Sequence, residues 1–291
     1  MPSPNPASTD ALLGVAAVST NDVWAVGTAN TSSPPVIEHW NGSTWKTVKA
    51  PRQNGFLQAV TAVSANDIWA VGESVGTSGA FQTLIEHWNG RKWSVVSSPN
   101  VGTLTNELLG VTAVSANDIW AVGFVVTASF GSTQTLTLHW NGTSWSVVPS
   151  QDASINDELR AVAAVSSSNV WAVGQFISGA NVQTLIEQWN GTSWSTFTSP
   201  AAGLLNGIAI VSATDIWAVG SLTDPTTGVT STVIEQWNGS SWSVVTSPNP
   251  SANENVLDGA AADQTSGQAW AVGEFFNNTS FQRETLTEFN P

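Results

Sequence analysis

The sequence predicts an all-β fold of the six-bladed β-propeller class, and three observations carry that prediction. The tetrapeptide Trp-Ala-Val-Gly recurs six times, beginning at Trp24, Trp69, Trp120, Trp171, Trp217 and Trp270, at separations of 45, 51, 51, 46 and 53 residues. Trp-Asn-Gly recurs at Trp40, Trp88, Trp140, Trp189 and Trp237, followed each time by a further tryptophan, at 45, 93, 145, 194 and 242. Between these motifs run short β-branched and aromatic stretches divided by turn residues, with no helical periodicity. A period near fifty that holds four strands marks a propeller blade, because such a sheet buries its two faces only by stacking on like neighbours.

Within the second unit the four strands read "LQAVTAVS", "DIWAVG", "TLIEHW" and "KWSVVSS", here lettered a to d. The a–b junction "SAND" supplies Asn and Asp for a tight turn, and the c–d junction is Asn-Gly, a pair suited to positive φ at both central residues. The units span 10–51, 56–99, 107–149, 158–200, 204–248 and 256–291 of one propeller domain, 1–291. The last ends at "ETLTEFNP" in strand c, so its outer edge is expected to be open and completed by a second chain or another segment. The N-terminal "PSPNPAS" matches the stretch after strand d elsewhere, but three prolines make it a poor strand.

These units resemble kelch-type repeats: an apolar strand a, a strand b ending in Gly, an aromatic ending strand c, and Trp opening strand d with Pro shortly after. Kelch blades carry Gly-Gly after strand b; here a single Gly27, Gly72, Gly123, Gly174, Gly220 or Gly273 stands there. The units are most similar to the Trp-rich WAVG/WNG repeats of predicted secreted bacterial propeller proteins. That resemblance implies an architecture and no activity.

Alternation along strand c puts Glu86 and Trp88 on one face and His87 on the other, and the parity of the turn returns Trp93 to the face of Trp88. Burying one indole removes roughly 200 Å² from water, about 5 kcal/mol gross at ~25 cal/mol per Å². Sixteen tryptophans, in a chain with no tyrosine, therefore read chiefly as core. Their alternative reading is a set of aromatic sites between blades that stack on sugar rings, as in a lectin. His39, His87 and His139 share one position with Gln188 and Gln236, which marks a repeated hydrogen-bonding site rather than a catalytic base. The glutamates at 38, 86, 187, 235 and 288 and the aspartates at 22, 67, 118 and 215 read as structural for the same reason, the aspartates through bonds to turn backbone.

With 21 acids against 7 bases, the net charge of −14 disfavours nucleic acid and anionic lipid. It is uneven, since residues 101–291 hold only Arg160 and Arg283 against fifteen acids. No stretch of about 18 apolar residues is present, so no membrane insertion is expected, and "MPSPNPAS" lacks the basic head and apolar run of a secretory signal. No cysteine means no disulfide framework and no thiolate site. No cofactor, metal or catalytic constellation is expected. A glycan-active enzyme is the third and weakest functional reading, because its acid–base pair would have to be unique and none stands out.

Function is expected on the end of the blades that carries the b–c and d–a loops, which vary, whereas the a–b and c–d turns are uniform. The binding candidates there are Phe81, Phe124, Phe130, Phe176, Phe275, Phe276 and Phe281. A second set precedes each strand a: Asp10, Asn106, Asp157 and Asn255, with Gly55 and Gly203 at the equivalent positions, expected in αL or Asx turns at a channel mouth. Asn-Gly-Ser/Thr at Asn41, Asn141, Asn190 and Asn238 reads as turn chemistry before glycosylation. Low Lys content with abundant Ser, Thr and Asn points to an extracellular or cell-surface setting. The expected role is a structural or interaction scaffold, its partner a protein, another copy of the chain, or a glycan.

Overall fold

The computed structural model describes residues 3–4, 10–29, 33–127, 131–154 and 156–290. Among them the chain is all-β, without helices, and belongs to the six-bladed β-propeller class: five blades of four antiparallel strands and one of three. Blade one comprises Ala11–Ser19, Asp22–Thr28, Val36–Trp40 and Trp45–Thr47; blade two Gly55–Ser64, Asp67–Val75, Phe81–Trp88 and Trp93–Val96. Blade three comprises Asn106–Ser115, Asp118–Val126, Thr133–Trp140 and Trp145–Val147; blade four Asp157–Ser166, Asn169–Ser178, Asn181–Trp189 and Trp194–Thr196. Blade five comprises Leu204–Ser212, Asp215–Thr223, Thr230–Trp237 and Trp242–Val244; blade six Asn255–Asp263, Gln268–Asn277 and Gln282–Asn290. Each blade is a simple meander, in the order a-b-c-d in blades one to five and a-b-c in blade six.

The chain forms two compact units, Met1–Pro149 with blades one to three and Ser150–Pro291 with blades four to six. In the first unit Trp24, Val26 and Ile37 of blade one pack on Leu57, Ile68, Leu84 and Trp93 of blade two. Trp69, Val71 and Ile85 of blade two meet Leu108, Ile119, Leu138 and Trp145 of blade three in the same way. In the second unit Trp171, Val173 and Ile186 of blade four pack on Leu205, Ile216 and Trp242 of blade five. Trp217 and Ile234 of blade five meet Leu257, Ala269, Ala271 and Leu286 of blade six, with Ala260 and Phe275 packed against them. Strand b is buried on both faces in blades one to five, which is why its core reads as an unbroken apolar run rather than an alternation.

Two turn readings are corrected. The glycine after Trp-Ala-Val does not end strand b, which continues from Gly72 to Val75. Opposite Gly72 strand a skips register between Leu57 and Ala59, a β-bulge, and brings the Phe56 carbonyl oxygen to 2.1 Å from where a Cβ would stand. Glycine is therefore required there by close approach, and the other five glycines of the series meet strand a in the same manner. The c–d turn is a four-residue loop, with Trp88 directly opposite Trp93, and only its glycine has positive φ. Asn89 serves instead as an acceptor: its Oδ1 takes the backbone N–H of Arg91 and of Lys92, both at 3.1 Å.

Candidate functional site

The uniform end of the blades is filled by its own repeat. At the start of strand b an aspartate accepts from the residue beside the strand-c tryptophan. His39 Nε2 lies 2.8 Å from Asp22 Oδ1, His87 Nε2 2.8 Å from Asp67 Oδ1, and His139 Nε2 2.9 Å from Asp118 Oδ1. Gln236 Nε2 donates to Asp215 at 2.9 Å and Gln188 Nε2 to Asn169 at 2.8 Å, so Gln supplies the same contact as His at this position. The same aspartates receive indole N–H groups, from Trp24 at 3.0 Å and from Trp69 at 2.8 Å, and each histidine ring packs 4.2–4.4 Å from its tryptophan. The aspartates thus bind side chains, not the turn backbone expected for them. The strand-c tryptophans of blades one to four donate Nε1 to carbonyls of the a–b turn, as Trp88 does to Ala65 at 3.2 Å. The turns also fit against each other: at Gly90, φ +83°, a Cβ would stand 2.6 Å from Asn66 Oδ1.

The strand-c glutamates Glu38, Glu86, Glu187 and Glu235 are buried and Glu288 is half-buried, and two of them bond to the tail that follows strand d of the preceding blade. Ser199 Oγ donates to Glu235 at 2.7 Å, and Ser247 Oγ donates to Glu288 at 2.7 and 2.9 Å. Both serines stand five residues after the strand-d tryptophan; before blade two that position is Ala50, which has no hydroxyl. Glu86 is fully buried and neither carboxyl oxygen has a hydrogen-bond partner. Burial alone pushes its carboxyl up to about 8. Glu187 is likewise raised to about 8, by burial and then by the neighbouring Asp152 and Asp157 charges, against a backbone hydrogen bond from Gln151. Glu235 is raised by burial and drawn back by Ser199 and Thr184.

The other end of the blades carries the variable residues, and here the loop reading is sharpened. Phe81, Phe124, Phe176, Phe275 and Phe276 sit at strand ends, half-buried, because strands b and c run further than the loop residues implied. Phe81 packs on Phe56 at 6.2 Å, and Phe275 lies against the core between blades five and six. Phe281 is 77% exposed and holds φ +56° in the b–c turn of blade six. Phe130 lies outside the described residues.

Asn106, Asp157 and Asn255 are buried staples for the loops that precede them, with ordinary negative φ; among their equivalents only Gly203 takes positive φ. Asn106 Oδ1 accepts from Val101 N and its Nδ2 donates to the Leu104 carbonyl, both at 2.7 Å. Asp157 accepts from Ser154 N at 2.9 Å and Oγ at 2.8 Å, and Asn255 accepts from Ser251 N at 2.8 Å. Asp10 stands beside Glu38 and, after burial, adds to the upward push on that carboxyl. Among the described residues no group of three His, Cys, Asp or Glu side chains is placed to hold a metal ion.

Sequence reasoning missed the side chains on and beside the strand-a bulges, where the repeat is broken by single-copy polar groups. Gln58 Nε2 donates to Glu73 at 3.1 Å, and burial, with the Glu107 charge second, lifts the Glu73 carboxyl to about 7. In the second unit Glu158 accepts from both Arg160 and Gln175 at 3.2 Å. The signal available in sequence was the failure of these positions to repeat. Also missed was a groove of about 590 Å³ between blades four and five, at the b–c and d–a loop end, lined by Gln175, Asn181, Ala202, Leu222 and Asp224. A second groove, of about 340 Å³, separates blades five and six beside Trp217, Ala269, Ala271 and Glu288.

Neither a family model nor a characterised relative matches the chain, so the kelch-type and WAVG/WNG resemblance rests on the motifs quoted. Among solved structures the chain is similar to one titled "YCF48 bound to D1 peptide", at 14% identity and a TM-score of 0.48. The match covers 81% of this chain and 66% of that one, so this chain spans a little less than two thirds of its length. No described helix is long and apolar enough to cross a membrane.

Proposed function

We propose that the chain is a non-catalytic interaction scaffold at the cell surface or outside the cell. It contacts a protein partner, or copies of itself, through the b–c and d–a loop end and through the outer edge of blade six. The observation that carries this reading is the division of labour between the two ends of the blades. At the a–b and c–d end, histidine, glutamine, aspartate and indole groups are engaged in one arrangement repeated from blade to blade. At the other end the b–c loops vary in length and side chains from blade to blade, and an exposed Phe281 is held at a φ that costs an L-residue about 1–2 kcal/mol.

The test is a comparison of captured proteins on the immobilised chain and on two variants. Phe176→Ser with Phe281→Ser alters the loop end; Lys46→Ser alters the uniform end. Loss of the same captured protein from the first variant alone supports the reading. Equal capture by both, or saturable quenching of indole emission by free sugars without any protein captured, overturns it.

A further inference from the structure

In blades three, four and six the chain just ahead of strand a lies against the end of strand b. The sixth residue after the strand-b tryptophan donates its N–H to the carbonyl of the residue preceding strand a. The pairs are Val126 to Thr105 at 2.8 Å, Ile177 to Asn156 at 3.2 Å and Phe276 to Glu254 at 2.9 Å. The connections that carry those carbonyls are nine residues long, 97–105 and 148–156, or ten, 245–254. Ahead of blades two and five the connection has only seven, 48–54 and 197–203.

The short connection takes another path. Gly203 donates its N–H to the Val182 carbonyl at 3.1 Å, and the Ala201 carbonyl accepts from Thr184 Oγ1 at 2.9 Å, so residues 201–203 lie on strand c of blade four. Gly55 donates to the Ser33 carbonyl of blade one in the same way, at 3.2 Å. In blade two Gln53 then crosses the place left behind, its Nε2 donating to Ser74 Oγ at 3.0 Å. The matching residues of blade five are Ala201 and Leu222, which cannot form that bond. There the groove of about 590 Å³ stays open. Thr223, the counterpart of Val126, lines it with a backbone N–H that has no partner among the described residues.

That volume falls within the ~300–1,000 Å³ of ligand sites. Apolar Val182, Ala202 and Leu222 alternate in its walls with the amides of Gln175 and Asn181. The charged group among its described lining residues is Asp224, whose Oδ1 accepts from Thr226 N at 2.7 Å and Thr227 N at 3.0 Å. Those bonds hold the carboxyl below the usual carboxylate range, so it is ionised at neutral pH.

We infer that this groove is a docking site for an extended segment of a partner polypeptide that presents a backbone carbonyl to the Thr223 N–H and a lysine or arginine to Asp224. The occupant's course is the one the chain itself takes ahead of strand a in blades three, four and six. Its register follows from blade six, where Asn253, one residue before the carbonyl-bearing Glu254, reaches the b–c turn by donating Nδ2 to Asn278 Oδ1 at 2.6 Å. The position matching Asn278 in blade five is Pro225, beside Asp224, so the cationic residue stands one before the carbonyl. The backbone contact supplies affinity and the ion pair supplies selectivity. The inference rests on the scaffold reading and deepens it by naming the ligand class of the loop end.

The experiment is an NMR titration of the ¹⁵N-labelled full chain with a capped pentapeptide, Gly-Thr-Lys-Thr-Asn, which copies residues 102–106 with lysine in place of Leu104. Saturable shifts are expected at Thr223 and the other groove residues, with the Thr223 amide proton moving downfield. Binding should weaken at least about fivefold with Asp224→Asn, which removes the charge and keeps the acceptor for the turn, and as much with leucine restored in the peptide. Ala202→Phe, which fills the groove, should abolish it. That variant is read only if its melting transition matches that of the wild type; if not, Asp224→Asn decides alone. No saturation, shifts confined to residues outside the groove, or binding indifferent to the variants overturns the inference. So do saturable shifts of the same amides by free monosaccharides with none from the peptide, which assign the groove to a glycan. Loss of the peptide result with retained loop-end capture defeats this inference alone, and the reverse defeats the capture part of the scaffold reading alone.

Discussion

Replacing Glu86 by glutamine should make the protein more stable at neutral and alkaline pH, by an amount that grows with pH. The carboxyl is fully buried with no hydrogen-bond partner, and burial raises it to about 8 from an ordinary value of 4.5. A raised carboxyl binds its proton more tightly in the folded than in the unfolded chain. Its stabilising contribution is complete below 4.5 and falls as pH rises through the window to about 8, after which it is flat. The slope is about 1.4 kcal/mol per pH unit, so the whole window amounts to at most about 5 kcal/mol. Glu86→Gln lacks that slope but leaves a buried amide unpaired, at about 1–3 kcal/mol. The two curves should therefore cross: wild type equal or more stable at pH 5, the variant more stable by a few kcal/mol at pH 8.5. Urea unfolding of both proteins from pH 5 to 9 reads this directly, and parallel curves would refute the reasoning. Ala50→Ser supplies the hydroxyl that Ser199 and Ser247 give to Glu235 and Glu288. It should stabilise the protein at pH 8 by about 1–2 kcal/mol and move the pH dependence to lower pH.

Three further outcomes follow from repeated geometry. His87→Gln should change stability by less than about 1 kcal/mol, since Gln236 makes the same bond to its aspartate, whereas His87→Ala should cost about 1–3 kcal/mol by stranding half of Asp67; thermal melts of the pair decide it. Gly72→Ala should unfold or severely destabilise the chain, because the new Cβ would meet the Phe56 carbonyl oxygen at 2.1 Å, and a soluble variant with an unshifted melting temperature would refute the bulge. Phe281→Gly should raise stability by about 1 kcal/mol, as it relieves φ +56° and exposes less apolar surface; a fall would mean that the ring packs in a way its 77% exposure denies.

The strand order was legible because three signals coincided in each unit: a tryptophan in strand b, a tryptophan closing strand c, and Asn-Gly before the next. The role of the histidines was also legible, because exchange with glutamine at one register position exposes the shared donor. What was not legible depends on distance through space. The glycine after Trp-Ala-Val looks like a strand end until the bulge opposite it is seen. Aspartates such as Asp67 look like turn residues until His87, twenty positions on, arrives at 2.8 Å. Ala50 carries no signal of its own; it matters only because Glu86 is buried one blade away. The candidates before strand a were found, but as turn residues at a channel mouth rather than as the loop staples that Asn106, Asp157 and Asn255 are. Their loops were too short in sequence to reveal which backbone N–H each would meet.

Blade six departs from the Asp-Trp-His arrangement at several positions at once, which makes it the place to test whether that arrangement is cooperative. Where the other blades place Asp or Asn at the start of strand b, and His or Gln and then Trp at the end of strand c, blade six places Gln268, Phe289 and Asn290, so the acceptor, the donor and the strand-c indole are replaced together while Trp270 of strand b is kept. Phe289 packs on Trp270 at 4.2 Å, the place His39 takes on Trp24 at 4.3 Å, so ring stacking survives while the polar bond is gone. If the arrangement is cooperative, Phe289→His alone should destabilise, since it puts a ring nitrogen where no carboxylate waits. Gln268→Asp alone should do the same by adding an unpaired charge. Together they should recover a coupling of about 1 kcal/mol or more, measured as a double-mutant cycle at pH 6 and pH 8, with the larger coupling at the lower pH where the imidazole is charged. Additive costs at both values would mean that the aspartate and histidine of the other blades are held in place by their neighbours and contribute nothing to each other.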